Sequence, residues 1–146
     1  MEPAGNEPKY DLEERTFLFA QRVRKFVKLI PKTTGNLEDG RQVIRSSGST
    51  GANYIEANEP LGPKDFLLRM KTSRKESKES RYWLRLLDLE AKPELERERA
   101  ALVREATELV LIFSAILKLV LGLWFLVLSY EFFFRDSSCL SRFARQ

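Results

Sequence analysis

The stretch R-S-S-G-S-T-G-A-N-Y-I-E-A-N, Arg45 to Asn58, holds six small residues in a row, Ser46 to Gly51. Three readings compete for it. A phosphate-binding loop requires G-x-x-x-x-G-K-[ST] after a strand. No lysine follows the second glycine here and no strand-like alternation precedes it, so that reading fails. A flexible linker suits local propensity, because a glycine inside a helix costs roughly 1 kcal/mol relative to alanine. The third reading is a helix whose inner face has been cleared of side chains. Leu37, Gly40, Ile44, Ser47, Gly48, Gly51, Ile55 and Asn58 recur mostly at steps of three and four, so the small residues share the register of the apolar ones. Such a face admits a neighbouring backbone at close range. The neighbour is either the next helix, which carries serines at Ser73, Ser77 and Ser80, or the same helix of another copy.

The flanking sequence favours helices on both sides. Asp11 is a candidate N-cap, and Leu12, Phe19, Ala20, Val23, Phe26, Val27 and Ile30 keep helical spacing until Pro31, giving a first helix over about 11–29. Asn36 is a candidate cap for the second helix, which Pro60, Gly62 and Pro63 stop. A third helix over about 63–89 shows Phe66, Met70, Ser73, Ser77, Ser80, Leu84 and Leu87 on one stripe. One residue on lies a second stripe, Lys71, Arg74, Lys78, Arg81 and Arg85, about 100° away around the axis. After A-K-P, a fourth helix carries Leu95, Leu102, Ala106, Leu109, Phe113 and Ile116. Amphipathic helices joined by short links predict an all-α, antiparallel up-down-up-down four-helix bundle over 11–118, preceded by a flexible N-terminus over 1–10 and followed by a tail over 119–146.

Composition bounds the chemistry. The 146 residues contain one cysteine, Cys139, and no histidine. An intramolecular disulfide, a Cys/His zinc site and a histidine-based nucleophile are thereby excluded. The lone cysteine and the polar N-terminus, which does not read as a signal peptide, suggest a cytoplasmic protein. Net charge is +4, unevenly spread: residues 64–85 hold eight Lys/Arg against three Asp/Glu. Such local positive charge points to an anionic partner.

The run S-G-S-T-G-A-N-Y-I-E-A-N-E, Ser47 to Glu59, resembles the signature of a bacterial four-helix-bundle family found in intervening sequences of large-subunit ribosomal RNA genes. The accessory variability determinant of diversity-generating retroelements is related to it. Y-D-L-E-E-R-T-F at Tyr10–Phe17, K-D-F at Lys64–Phe66, K-E-S-R-Y-W-L at Lys78–Leu84 and F-S-A-I from Phe113 extend the resemblance in order, over about 10–117. Pro60, Gly62–Pro63 and Thr50 depart from the usual pattern. The resemblance implies a second helix running through the small residues, assembly as a homopentamer, and nucleic-acid binding through basic surface.

Lys71, Arg74, Lys75, Lys78, Arg81 and Arg85 are thus the candidate phosphate contacts, with Tyr82 and Trp83 beside them for stacking on unpaired bases. The competing reading is an ordinary solvated face, its charges offset by Glu76 and Glu79 at helical spacing. Gly48, Gly51, Asn53, Tyr54, Glu56 and Asn58 are candidate packing or interface residues, the two asparagines fixing register. Nothing in the spacing of Glu56 and Glu76 calls for a catalytic pair or a magnesium site, so no enzyme, metal or cofactor is expected. Expected partners are further copies of the chain and RNA, DNA or a nucleic-acid-processing protein. The alternative is an oligomeric scaffold for a protein partner or a membrane site.

The tail poses a separate question. From Leu109 to Tyr130 the only charge is Lys118. About 20 apolar residues span a bilayer, but Leu109, Phe113 and Ile116 are assigned to the bundle, which leaves Leu119 to Tyr130 for membrane contact. An extension of the fourth helix buried by partner subunits, a membrane anchor, and a read-through segment without design all remain open.

Overall fold

The computed structural model describes the backbone of residues 11–143 and the side chains of residues 11–127. Four helices follow in order: α1 Leu12–Leu29, α2 Thr34–Asn58, α3 Pro63–Leu86 and α4 Pro93–Phe143. The chain divides into two compact units, one ending at Phe113 and the other beginning at Ser114. Within the first, cross-helix pairs fix the antiparallel order. Arg15 and Arg22 of α1 bind Glu105 (2.6 Å) and Glu98 (2.9 Å) of α4, and Ser80 of α3 donates to Ser46 of α2 at 2.8 Å.

Helix starts follow the expected chemistry with one shift. The Asp11 carboxylate accepts from the Glu13 and Glu14 amides, and Pro63 opens α3. The cap of α2, however, is Thr33, whose hydroxyl accepts from the Asn36 amide at 3.2 Å. Asn36 itself is buried, and its side chain does something else. Its Nδ2 donates to the carbonyls of Pro31 (2.9 Å) and Asp88 (2.7 Å), while its Oδ1 accepts from the Asp88 amide (2.9 Å). One amide thus ties the α1–α2 link to the turn after α3.

The apolar core is built by α1, α3, α4 and the α3–α4 turn. Phe19, Val23 and Phe26 of α1, Met70 and Leu84 of α3, Leu87 and Leu89 of the turn, and Leu102, Leu109 and Phe113 of α4 are all almost wholly buried. The helix 3 stripe holds from Met70 to Leu87, and the helix 4 stripe from Leu95 to Phe113. By contrast, α2 contributes Val43 and Ala57 as its buried hydrophobic residues. Of its expected inner face Gly40, Ser47 and Gly51 are buried, but Leu37 and Ile55 are each about half exposed (47% and 48%), and the buried arc extends one residue over, to Val43, Ser46, Thr50 and Ala57. The arc of small side chains is wide enough to face two neighbours at once.

Candidate nucleic-acid interface

The stretch of small residues is uninterrupted helix. Its hydroxyl and glycine faces meet different partners. A Cβ on Gly51 would lie 3.1 Å from Thr16 Oγ1, one on Gly40 would lie 3.0 Å from Val27 Cγ1, and one on Gly48 would lie 3.2 Å from the Arg24 guanidinium. The glycines therefore clear space for α1. The hydroxyls turn to α3, where Ser80 bonds Ser46 and Thr50 lies 3.4 Å from Ser77. Most of these hydroxyls donate to a carbonyl one turn back in their own helix, as Ser46, Ser47, Thr50 and Ser77 do, while Ser80, 2.9 Å from the Glu76 carbonyl, has the Ser46 hydroxyl as its second partner for a single proton. That satisfies buried oxygens without a cross-helix partner at every level and lets two polar stripes pack closely.

This seam orients α3. With Ser73, Ser77 and Ser80 fully buried, the neighbouring stripe is turned outward. Lys71, Lys78 and Arg85 are exposed, and Arg74 and Arg81 are half-buried. Among the described residues none of these five has an acidic partner within ion-pair distance. The interleaved acids are directed elsewhere. Glu79 binds Lys75 at 3.4 Å and reaches Arg45 of α2 at 3.9 Å, so Lys75 is the one expected phosphate contact already engaged. Glu76 turns inward, and its Oε2 is buried with no hydrogen-bond partner among the described residues. Burial holds its carboxyl above the ordinary carboxylate range, reinforced by Glu79 and opposed by Arg45 and Lys75. The acids that were to offset the stripe thus leave it largely unneutralised. Tyr82, 56% exposed, meets the edge of Trp83 with ring centroids 5.0 Å apart, next to Arg81 and Arg85. The stripe from Lys71 to Arg85 covers 14 residue steps, about 21 Å of helix.

The second group of candidates is dispersed. Tyr54 packs on Phe113 of α4 at 5.8 Å. Asn53 donates to the Ser49 carbonyl at 3.0 Å and accepts from Arg69 of α3 at 3.4 Å, and Glu56 lies 3.8 Å from the same guanidinium. Asn58 is exposed at the end of α2 and joins no cluster. Arg69, which no spacing argument singles out, links Asn53, Glu56 and Asp65. Beside Gly48 and Gly51 runs a groove of about 450 Å³ between α1 and α2, with Thr16, Ala20, Ala52, Phe17 and Ile55 in its lining.

No family model and no curated protein matches this chain. Among solved structures, it is similar to a Bacteroides thetaiotaomicron protein of unknown function from the S23 ribosomal protein family. The two share 26% identity at a TM-score of 0.61, over 73% of this chain and 98% of the other. The likeness extends the four-helix arrangement to a bacterial protein with a ribosomal family name.

Proposed function

We propose that this protein is a non-enzymatic nucleic-acid-binding or accessory protein that contacts RNA or DNA phosphates through the outer face of α3. The observation that carries the reading is the set of five cations, Lys71, Arg74, Lys78, Arg81 and Arg85, displayed in register on a helix whose Glu79 is paired with Lys75 and whose Glu76 is turned inward. Phosphate contacts carry no base identity, so binding is expected to be largely independent of sequence, with Tyr82 stacking on unpaired bases. The ribosomal family name of the similar Bacteroides protein agrees with RNA as the partner. Assembly as a homopentamer follows from the sequence resemblance. The α1–α2 groove, flanked by Phe17 at 57% exposure and by Ile55, supports contact between copies.

The test is affinity for single-stranded and duplex RNA across a salt series. Five neutralised phosphates give a log–log slope near −3.5 for a single strand, from about −0.7 per phosphate. Replacing the exposed Lys71, Lys78 and Arg85 by serine is expected to flatten that slope by about 2. Absence of binding at low salt, or a slope indifferent to the three substitutions, refutes the reading. The second reading, a scaffold built on the groove, is favoured by exposed Phe17 and Ile55. It predicts that the Phe17→Ser, Ile55→Ser double variant loses native mass and that neither it nor the parent binds RNA in a salt-dependent way.

A further inference from the structure

Beyond Leu117, itself buried, α4 presents a surface unlike any in the bundle. Leu121, Leu123, Trp124, Phe125, Leu126 and Val127 are all exposed, by 41% to 72%, and Leu119 by 68%. Successive helical residues are rotated by about 100°. The six side chains at 121–127 therefore point to every side of the helix, and no polar stripe interrupts them. This geometry restricts what covers the segment. A docking helix or a groove covers one stripe, and a helix built for such a partner keeps charged residues on its other side. A helix that is apolar all round is matched by a solvent that is apolar all round, which is hydrocarbon.

Three further observations agree. One described helix is long and apolar enough to cross a membrane, and its most apolar 18-residue window is 17% buried, where the core helix of a soluble bundle is mostly buried. From Leu119 to Tyr130 the helix carries no charge, 12 residues or about 18 Å, comparable to the depth of one leaflet of a hydrocarbon layer about 30 Å thick. Lys118, the only charge from Leu109 to Tyr130, is exposed at the start of that run. A lysine there reaches lipid phosphates with its ammonium while its stem stays in the apolar layer. Tyr130 lies outside the described side chains.

We propose that the Leu119–Val127 stretch of α4 is lipid-embedded, inserted into the hydrocarbon of a bilayer with Lys118 at headgroup level. This stands independently of the basic stripe on α3. Lipid contact would cover an apolar surface far larger than an isolated surface side chain exposes.

The test uses the full chain, synthesised in the presence of uncharged phosphatidylcholine vesicles whose acyl chains carry bromine. Trp83→Phe leaves Trp124 as the sole indole, because the chain has two tryptophans. Expected are flotation with the vesicles, retention at 1 M salt, and quenching of Trp124 by the brominated chains. Leu121→Lys and Leu126→Lys, both at exposed positions, are each expected to weaken association on the order of a hundredfold. Failure to float, whether the chain stays in solution as an oligomer or pellets as aggregate, overturns the proposal and assigns the surface to self-association. Flotation that requires anionic lipid and reverses in salt also overturns it, because that is adsorption through the cations of α3.

Discussion

Replacing Asn36 by alanine removes three hydrogen bonds at once: two donated by Nδ2, to the carbonyls of Pro31 and Asp88, and one accepted by Oδ1 from the Asp88 amide. Each is worth about 1 kcal/mol net, so their sum is about 3 kcal/mol. Asp88 is exposed as a residue, and water reaching its main chain reduces the loss to roughly 2 kcal/mol. For a bundle of about 100 residues, 1 kcal/mol shifts the midpoint by about 4–8 °C. The expected fall in Tm is therefore about 8–16 °C. Thermal and urea unfolding followed by circular dichroism at 222 nm measures it, with an unchanged urea slope showing that the native state stays compact. A Tm within about 3 °C of the parent refutes the clasp.

Asn36→Asp sharpens the test. The introduced carboxyl keeps an acceptor for the Asp88 amide but points its second oxygen at two carbonyls, 2.9 and 2.7 Å from the present Nδ2. That disfavours its charged form and raises its folded pKa above the ordinary aspartate value of about 3.9. The folded state then binds the proton more tightly than the unfolded state. The stability this contributes is fully present below about pH 3.9 and is lost as pH rises through the folded pKa. The variant is expected to be weakest at neutral pH and to approach the parent in acid. A deficit independent of pH means that the carboxyl does not face those carbonyls.

Gly51→Ala is expected to destabilise despite alanine's helix propensity of roughly 1 kcal/mol over glycine, because its Cβ meets Thr16, itself fully buried, at 3.1 Å. Gly35→Ala, where a Cβ meets nothing within 4 Å, is expected to raise Tm in the same denaturation assay, and a gain at both sites removes the close approach of α1. Glu76→Gln is expected to stabilise at neutral pH, because burial and Glu79 raise the folded pKa of Glu76. The wild-type charge is therefore the disfavoured form above its folded pKa, and the advantage of the variant should shrink toward pH 4; a constant difference across that range counts against it. Ala91→Gly relieves a positive φ of 55° in the α3–α4 turn and is expected to raise Tm by a few degrees, whereas an unchanged or lower Tm shows that the turn carries no such strain.

What was legible in the sequence is what repeats. Met70, Ser73, Ser77, Ser80, Leu84 and Leu87 keep helical steps, and that stripe fixes both the buried face of α3 and, by rotation, the outward face of Lys71, Arg74, Lys78, Arg81 and Arg85. The continuity of α2 was legible for the same reason. Its exact rotation was not, because an arc of Gly, Ser and Thr carries little apolar contrast. Leu37 and Ile55 pulled the expected face one residue away from Val43, Ser46 and Thr50. Contacts between distant segments leave no periodic trace at all. Asn36 looks like a cap because it stands where caps stand, and its bonds to Asp88 cross 52 positions. Arg69 and Thr16 escaped for the same reason.

The seam of small residues and the basic face follow from one design. Apolar pairs between α2 and α3 would hold the helices further apart and let each rotate within a greasy contact. Serines at 46, 77 and 80, with Thr50, instead bring the two backbones close and permit few rotations, since a turned helix would bury a hydroxyl against a carbon surface. Hydrophobic stabilisation is correspondingly left to α1, α3 and α4. A helix locked in this way displays its cations at fixed spacing over about 21 Å, so ordering them on a polyanion requires no backbone adjustment. Loosening the seam with Ser80→Ala, which deletes the Ser46 bond at its centre, is therefore expected to weaken RNA binding beyond its effect on stability. The affinity of folded protein, measured well below its Tm, decides it. A value equal to that of the parent separates the seam from the interface and leaves the glycines and serines with a purely structural role.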